Sequence, residues 1–359
     1  MKSSEHNSRS KKTLSSNSGR VKQVDVANLA GVARATVSRV LNNYTDKFSV
    51  RPEVRQRVLD AAASLGYRPD LMAHTLRKKA SGGLVGWLGS LYPITFSTNV
   101  LEALTETLST HGLLLSPTYA TDSKKPITLP WWRIDAAVVS GVREPEGITE
   151  IEAANLPYVC VNCVCGPKGS SVQMNDVEGM NLACAHLLEL GHRKIVYAVR
   201  DPVYMGGHPS VAARQGAYKT VMRDAGLTPL NEGSRWSPDR PDEFVQEVVV
   251  RRGVSAILTY SCHSAILLLG ALQRAGLRVP QDVSLVSFND EYPLKHLNPS
   301  VTVVELDGRA AGHEAAELIV AHVTDPSREP IHRVLPEKLI IRESTAAPAR
   351  QKTKRGRNT

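Results

Sequence analysis

The chain has 359 residues, of which 42% are hydrophobic and 22% charged, so it is long enough for two or three globular domains with a substantial core. No stretch reaches the roughly 18 continuous apolar residues of a membrane span, and the polar first twenty residues lack the apolar core of a signal peptide, so we expect a cytoplasmic protein without a membrane partner. The net charge of +9 is localised, because residues 1–80 hold sixteen lysines and arginines against six acidic residues. This end is predicted to neutralise nucleic-acid phosphates.

The first twenty residues are rich in Ser, Lys and Asn, which predicts a disordered basic tail. Residues 21–41, VKQVDVANLAGVARATVSRVL, then predict two short helices joined by a tight turn at Gly31. The apolar faces consist of Val24, Ala27, Leu29 and Ala30 in the first helix and Val37, Val40 and Leu41 in the second. Helices this short are marginal in isolation and must pack on each other, as in a helix-turn-helix.

The second of these helices carries small hydroxyl and guanidinium side chains away from its apolar face. Such side chains suit phosphate oxygens and guanine edges in a DNA major groove. The candidate DNA-binding residues here are Arg34, Ala35, Thr36, Ser38, Arg39 and Asn42. Ala35 cannot hydrogen-bond to a base, whereas the Arg34 guanidinium can. The alternative is a helical hairpin in a protein core, with Arg34 and Arg39 as solvated surface charges.

A third helix is predicted next, because Pro52 suits a first helical turn and Gly66 suits a helix end. Its predicted buried face is Val54, Val58, Ala61, Ala62 and Leu65. Residues 21–66 would then form a three-helix headpiece. Residues 67–83 contain a short helix that Asp70 can cap, but this helix has no core of its own and needs a partner.

From residue 84 onward, apolar strand patterns alternate with amphipathic helix patterns, which predicts α/β structure with parallel sheets and right-handed crossovers. The predicted strands are 84–88, 113–115, 136–139, 159–161, 195–199, 256–259, 285–288 and 301–304. The predicted helices include 100–108, 179–190, 217–225 and 265–275.

Three of the five cysteines form a C-x-x-C-x-C run at Cys160, Cys163 and Cys165. The run leaves open a thiolate metal site or a redox pair. It continues an apolar strand pattern, however, and no second Cys or His pair follows at zinc spacing. We therefore expect neither a metal nor a cofactor.

Two stretches of the basic end, GVARATVSRVLN and RQRVLDAAASLGYRPDLMAHTLR, resemble the headpiece and hinge of the lactose-repressor (LacI/GalR) family of bacterial regulators. Further local matches are HLLELGHRKIVY, AGLRVPQDVSLVSFND and LPEKLIIRES, so the resemblance covers nearly everything except the tails. It implies a two-lobed, periplasmic-binding-protein-like effector domain over residues 84–345, with a ligand cleft at the carboxyl ends of the strands.

The same resemblance implies a homodimer on a pseudo-palindromic DNA operator. In the family a hinge leucine wedges into the minor groove at the operator centre, and the matching residue here is Leu76. Its neighbour Arg77 is a further candidate DNA-binding residue. The alternative for Leu76 is a dimer-packing leucine that never touches DNA. The implied partners are thus double-stranded operator DNA, a second copy of the chain and a small-molecule effector.

The predicted effector cleft departs from the family pattern, since Met174, Cys262 and Asn289 stand where aspartates are frequent. Arg214 is retained, which predicts a relatively electropositive cleft suited to an anionic or less hydroxylated ligand rather than a neutral sugar. The candidate effector-binding residues are Phe96, Ser97, Met174, His208, Ser210, Arg214, Leu258 and Asn289.

The segment between Tyr119 and Asp135 is too short for the family's crossover helix and is interrupted by two prolines. Trp131 and Trp132 are expected to cover the apolar face that this helix would have covered, in preference to forming a ligand platform. Residues 346–359 are expected to be a second disordered basic tail without a tetramerising coiled coil.

The sequence therefore predicts a DNA-binding regulator, most simply a repressor, gated by a small molecule and associated with the nucleoid. Two alternatives stay open, namely a regulator of the same fold that has lost its small-molecule response, and a solute-binding protein whose basic end is incidental. An enzyme is not expected, because we find no Gly-rich phosphate loop, no G-x-S-x-G nucleophile turn and no metal-spaced histidines.

Overall fold

Three short helices form the first of two units into which the computed structural model divides, residues 1–79 and 80–359. The structure describes residues 21–41, 50–67, 83–89, 95–119, 127–130, 133–199, 208–230 and 240–349. The helices of the first unit are α1 (Gln23–Ala30), α2 (Arg34–Leu41) and α3 (Pro52–Ser64). Their core is small, and it consists of Val26, Ala27, Ala30, Val37, Val40, Val58, Ala61 and Ala62.

The apolar face predicted for α1 was partly wrong. Val24 and Leu29 are 45% and 56% exposed, whereas Val26 is fully buried. The reason is the phase of the helix: Val26 and Ala30 are four residues apart and lie on one side with Ala27, so Val24 and Leu29 fall outside that stripe. The faces predicted for α2 and α3 are confirmed at Val37, Val40 and the α3 residues of the core.

The second unit contains two sheets of parallel strands, which we call the first and second lobes. The first-lobe sheet has the order β10-β5-β4-β3-β1-β2, and the second has β11-β9-β8-β7-β6, in which β11 alone is antiparallel to its neighbour. The strands are β1 (Leu84–Gly89), β2 (Leu114–Tyr119), β3 (Ala136–Ser140), β4 (Tyr158–Val161), β5 (Ser170–Met174), β6 (Ile195–Ala198), β7 (Ala256–Thr259), β8 (Ser284–Phe288), β9 (Thr302–Glu305), β10 (His332–Leu335) and β11 (Lys338–Ile340). Most are short runs of buried aliphatic residues, as parallel sheets covered on both faces require.

Helices cover both faces of the two sheets. They are α4 (Thr95–Thr110), α5 (Thr149–Ala153), α6 (Asp176–Glu189), α7 (Pro209–Asp224), α8 (Pro241–Phe244), α9 (Cys262–Arg274) and α10 (Gly308–Thr324). A π-helical segment, Val245–Arg251, continues α8, and short 3₁₀ turns lie at Pro145–Ile148 and Tyr292–Lys295.

Within the described residues the chain crosses between the lobes three times. After β5 it enters α6, which packs on β9 and β11 of the second lobe. After β9 it enters α10, which packs on α4 and on strands β3, β4 and β5 of the first lobe. Finally, β10 adds a strand to the first-lobe sheet, and β11 follows it into the second. Each lobe therefore contains segments that are distant in the sequence.

The sequence-based prediction did not include the strands β5, β10 and β11, the long helix α10 or the short helices α5 and α8. The β5 sequence SSVQM lacks an apolar run, and the edge strand β10 (HRVL) is largely exposed. Helix α10 carries Gly308 and Gly312, which are poor helix formers in isolation. They are needed here, because a Cβ on Gly312 would lie 2.5 Å from the Val100 oxygen and one on Gly308 would lie 2.5 Å from the Phe96 oxygen.

The predicted shortened crossover agrees with the described part of this segment, since residues 127–130 and 133–135 contain neither helix nor strand. Ile127 is buried in a small core with Ile148, Ile151 and Tyr158, against the face that a crossover helix would cover. Trp131 and Trp132, to which the prediction gave this role, lie outside the described residues.

The carboxyl-terminal boundary predicted at residue 345 is too early. Ala346 is anchored in the second lobe, because its N–H donates to Ser284 Oγ at 3.1 Å and its oxygen accepts from the His192 ring at 2.9 Å. The folded second lobe therefore includes Ala346, which the sequence assigned to a disordered tail.

Candidate functional site

The helix-turn-helix is built on a left-handed turn. Gly31 has φ 63° and ψ 41°, and its N–H donates to main-chain oxygens of the last turn of α1. A residue with a side chain pays for this conformation, so glycine is the natural choice. The turn lets α2 begin at Arg34, three residues later, and lets both helices bury their apolar faces against α3.

The outer face of α2 presents the predicted DNA-binding side chains. Arg34, Ala35 and Arg39 are exposed, Thr36 and Ser38 are half-buried, and Val37 with Val40 is buried on the opposite side. This distribution is what a helix needs if it is to pack on its own domain and still enter a groove. Asn42, Leu76 and Arg77, the remaining predicted DNA contacts, lie outside the described residues.

The Lys22 side chain does not cap the start of α1, because its ammonium group has only donors and cannot accept a hydrogen bond from a main-chain N–H. Asp25 compensates in part, because its Oδ2 accepts from the Lys22 N–H at 2.7 Å and its charge lies in the first helical turn.

A second candidate region lies between the two lobes, where the amino terminus of α4 meets the carboxyl ends of β8 and β9. A small cavity of about 40 Å³ lies here. It is lined by Thr95, Phe96, Asn99, Asn289, Asp290, Glu291, Glu305 and Leu306. Two predicted effector residues, Phe96 and Asn289, are thus brought together, and Ser97 lies beside them, half-buried on α4.

Glu291 joins the lobes at this cavity. Its Oε2 accepts hydrogen bonds from the Thr95 N–H at 2.8 Å and the Thr95 hydroxyl at 2.6 Å. Glu291 follows β8 in the second lobe, whereas Thr95 is the first residue of α4 in the first lobe, so a carboxylate of one lobe caps a helix of the other. Among the described residues, Glu291 Oε1 and Asn289 Oδ1 are buried acceptors without a hydrogen-bond donor.

The cavity's described walls are acidic, which contradicts the predicted electropositive cleft. Glu291 and Glu305 line it together with Asp290, whose carboxylate is paired with Arg342 through bonds of 2.8 and 2.7 Å. Asn289 replaces a frequent aspartate, as the sequence showed, but Glu291 two residues later supplies a negative charge. The backbone of Asn289 lies in the left-handed region, with φ 68°.

A chain of polar groups runs from α7 to the first lobe. The Tyr260 hydroxyl lies 2.6 Å from Ser210 Oγ, which lies 2.7 Å from His208 Nδ1. His208 Nε2 lies 2.8 Å from the main-chain oxygen of Asn162, which can only accept, so Nε2 carries the proton and donates. Nδ1 then accepts from Ser210, and burial lowers the pKa of His208. The neutral ring therefore links the second lobe to the loop after β4.

Arg214 is also on α7, but it is not available as an open cation. It is 2% exposed, its Nε donates to Asp176 Oδ1 at 2.6 Å, and its Nη2 lies 3.6 Å from Glu337 Oε1. Its guanidinium lies 3.9 Å from the centre of the Phe288 ring. Asp176 begins the first crossing between lobes and Glu337 follows β10 in the third, so this ion cluster holds two crossings together.

Glu337 is the unusual member of the ion cluster. Its side chain is fully buried, and neither of its carboxyl oxygens has a hydrogen-bond partner among the described residues. Burial raises the pKa of Glu337 to about 8, against the opposing effect of Arg214 and with support from the Asp176 charge. The residue is therefore mostly protonated at neutral pH. Gly179 makes room for it, because a Cβ there would overlap Glu337 Oε2.

Two predicted effector residues lie in the core rather than on a cleft surface. Leu258 is fully buried in the middle of the second-lobe sheet, and Met174, at the end of β5, is 5% exposed in the same hydrophobic cluster. Both are apolar residues of strands that are covered on each face, so their side chains are expected to be buried. Cys262 is half-buried at the start of α9.

Several residues of this region were missed from the sequence: Thr95, Asn162, Asp176, Tyr260, Glu291 and Glu337. Glu337 lies inside the stretch LPEKLIIRES, and Glu291 directly follows SFND. No spacing in the sequence pointed to either residue. In the part of the chain that the structure describes, no group of three His, Cys, Asp or Glu side chains could hold a metal ion, and no helix could span a membrane.

The fold and the cleft define a class of protein, in which a helix-turn-helix unit accompanies a two-lobed α/β domain of the periplasmic-binding-protein type. Residues 24–70 match the model of bacterial regulatory proteins of the lacI family. Residues 184–345 match the model of a periplasmic binding protein-like domain. The chain therefore contains a helix-turn-helix domain of the lacI family and a periplasmic-binding-protein-like domain.

Named relatives agree over nearly the whole length. The chain is 28% identical over 336 residues to the transcriptional regulator CelR of Thermobifida fusca, covering 89% of this chain and 96% of that one. It is 25% identical to the repressor PurR of Vibrio vulnificus over 89% of this chain and 97% of the other. These relatives are transcriptional regulators. The same fold is found in the lac repressor dimer bound to operator and an anti-inducer, with a TM-score of 0.74 at 22% identity over 92% of this chain and all of that one.

Proposed function

We propose that this protein is a sequence-specific DNA-binding repressor of transcription, acting in the cytoplasm on the nucleoid. The observation that carries the proposal is the outer face of α2, where Arg34, Ala35 and Arg39 are exposed directly opposite buried Val37 and Val40. In a major groove, Arg34 would pair bidentately with a guanine and Ala35 would contribute only apolar contact. The sixteen basic residues of the first 80 add affinity through counterion release.

The protein acts as a homodimer on a pseudo-palindromic operator. The similarity of its fold to that of the lac repressor, whose dimer binds operator, supports this proposal. Two headpieces (residues 21–66) would lie in successive major grooves. The hinge (residues 67–83) would bring Leu76 and its mate to the operator centre, where a wedge unstacks one base step at a cost of a few kcal/mol. Residues 84–345 and the anchored residues that follow them form the effector and dimerisation domain.

A small molecule in the cavity between the lobes is the proposed signal. The described walls offer carboxylates, the Asn289 amide and the Phe96 ring, whereas the Arg214 cation is already paired. This chemistry favours a polar ligand that is uncharged, such as a sugar, or positively charged, over an anion. A ligand that prefers one separation of the lobes would shift the population of the DNA-competent state.

Selection of bound sequences from random duplex DNA tests the proposal with the full-length protein. We expect a pseudo-palindrome with a preferred central step. Arg34→Ala should relax one position of each half-site and weaken binding there by about 1–3 kcal/mol, whereas Leu76→Ala should erase the central preference. Arg57→Ala is the matched control, since it removes an equal charge from an exposed position of α3. Failure of folded protein to enrich any motif would end the proposal.

A second candidate is a repressor without a small-molecule response. It is favoured by one observation, namely that Asp176 already neutralises the Arg214 cation that the sequence assigned to the ligand. Calorimetric titration of neutral sugars, cationic metabolites and anionic metabolites separates the two. Heat from either of the first two classes supports the gated repressor, and uniformly flat traces with a protein that still selects its operator support the second candidate. Ligand binding without any operator would instead indicate a solute-binding protein.

A further inference from the structure

Three thiols lie together in the first lobe, outside both regions described above. Cys160 is the third residue of β4 and fully buried, Cys163 is 1% exposed, and Cys165 is half-buried. All three are free thiols. They lie at the end of β4 and in the loop that leads from β4 to β5.

The register of the sheet places the two flanking thiols on opposite sides of Cys160. Cys163 Sγ donates to the Val139 oxygen at 3.5 Å, and Val139 is the partner of Cys160 on β3. Cys165 Sγ is 3.3 Å from the Ser170 oxygen, and the next residue, Ser171, is the partner of Cys160 on β5. The Cys160 thiol interacts with both of its neighbours.

The surroundings of Cys160 and Cys165 give these two thiols different expected reactivities. The hydrogen bond with Cys160 lowers the pKa of Cys165, which is also the most exposed of the three. The pKa of Cys160 is raised instead, by the same thiol contacts and by burial. A thiolate is the reactive form of cysteine, so Cys165 is the group on which an oxidant would act first. Cys262, equally half-buried but remote from other thiols, has a pKa raised to about 11 by burial.

We propose that Cys165 and Cys160 are a reversible oxidation site that converts hydroperoxide into an intramolecular disulfide. Cys165 attacks the peroxide oxygen, its sulfur is oxidised to the sulfenic acid, and the peroxide leaves as water. Cys160 sulfur then attacks the sulfenic sulfur, the S–O bond breaks, and the Cys160 proton leaves with the hydroxyl as a second water. Two thiols lose two electrons and one peroxide molecule gains them, and a dithiol reductant reverses the reaction.

The same loop connects this site to the contact between the lobes. Asn162, which accepts the hydrogen bond from His208, lies between Cys160 and Cys163, at a left-handed backbone with φ 49°. A disulfide from Cys160 to Cys165 would close a short ring through residues 161–164, and we expect this ring to shift the main chain at Asn162. Oxidation would therefore weaken the His208 bond that joins the lobes.

The experiment uses full-length, reduced protein exposed to a few equivalents of hydrogen peroxide, then alkylated and analysed by mass spectrometry. We expect the peptide that contains the three cysteines to take up one alkyl group instead of three and to have a mass 2 Da below that of the singly alkylated dithiol. Dithiothreitol should reverse this loss. Cys163→Ser should retain that loss, which assigns the bond to the other two thiols. Cys165→Ser should abolish it, and Cys262→Ser is the control in which oxidation proceeds as in the wild type.

Because a change at buried Cys160 can disturb folding, the rate of thiol alkylation in unmodified protein is a second measurement. Cys165 should react with iodoacetamide at least tenfold faster than Cys262 at pH 7, in line with its thiolate character. Equal rates, oxidation of Cys262 before Cys165, or a sulfinic acid on Cys165 without any disulfide would overturn the proposal. None of these readouts uses DNA, so the result is separate from the proposed repressor function.

Discussion

His208 donates a hydrogen bond from Nε2 to the main-chain oxygen of Asn162, and this 2.8 Å contact joins the second lobe to the loop after β4 in the first. The hydrogen bonds from Thr95 to Glu291 are a second polar contact between the lobes. Apolar residues of both lobes also belong to one hydrophobic cluster, so these polar contacts act beside apolar packing.

The pH dependence of the His208 contact is the first prediction. Burial lowers the pKa of His208, so the folded protein binds fewer protons than the unfolded chain below pH 6.5, and this share of the stability is lost as the pH falls through the folded pKa. His208→Gln keeps a nitrogen donor and has no titrating group, so urea unfolding should show a shallower loss of stability between pH 7 and 5 than in the wild type. His208→Asn lacks the reach and should lose about 1 kcal/mol at pH 7.

A titration of Glu337 should have the opposite sign. Its pKa is raised to about 8 from an ordinary value near 4.5, so the folded protein holds the proton more tightly. The associated stability is fully present below pH 4.5 and is lost as the pH rises through 8. Glu337→Gln removes this pH dependence. The free energy of unfolding of the variant, relative to that of the wild type, should therefore rise by on the order of 3 kcal/mol between pH 5 and pH 9. Parallel stability curves for the two proteins would refute the assignment.

The carboxylate cap on α4 gives a third prediction. Glu291→Gln should lower the free energy of unfolding by about 1–2 kcal/mol, because a charged acceptor for the Thr95 N–H becomes a neutral one. Glu305→Gln, at the same cavity, is the control and should change stability by less than about 0.5 kcal/mol. A double-mutant cycle with Thr95→Val should show coupling for Glu291, and additivity there would mean that the cap is weak.

The packing of α10 on α4 predicts a sharp difference between two glycines. Gly312→Ala should destabilise the protein by about 1–3 kcal/mol, because the new methyl group would lie 2.5 Å from the Val100 oxygen and 2.8 Å from the Ala103 Cβ. Gly216→Ala is the matched change in α7, where no atom lies within 4 Å of the new Cβ. It should stabilise the helix by about 0.5–1 kcal/mol, and thermal unfolding of both variants measures the contrast.

The elements that the sequence predicted are those with strong local signals. The glycine turn at Gly31 and the aliphatic runs of β3, β7 and β8 are local patterns, and the structure places them where they were expected. Helix α10 could not be predicted in this way, because Gly308 and Gly312 are explained by a neighbour more than 200 residues away in the sequence. The family resemblance led to the correct architecture, but it did not anticipate that Arg214 is enclosed by carboxylates.

The charge of the cleft shows the same limit. Counting three neutral replacements at Met174, Cys262 and Asn289 predicted an electropositive site, although Met174 is in the core and Glu291 adds a charge that the count omitted. Electrostatics depends on which side chains meet in space, and Glu337 approaches Arg214 only because the chain returns after β10. A count of charged residues along the sequence does not show that Glu337 and Arg214 come together.

The repeated crossing between lobes sets the order in which the protein can fold during synthesis. The first unit contains only contacts among early residues, so it can fold while translation continues. The first-lobe sheet, in contrast, receives its edge strand from residues 332–335 and the second-lobe sheet receives β11 from residues 338–340. At about ten residues per second, roughly 25 s separate a finished headpiece from a finished pair of lobes. During that interval a nascent chain would expose a folded DNA-binding unit before the domain proposed to control it exists.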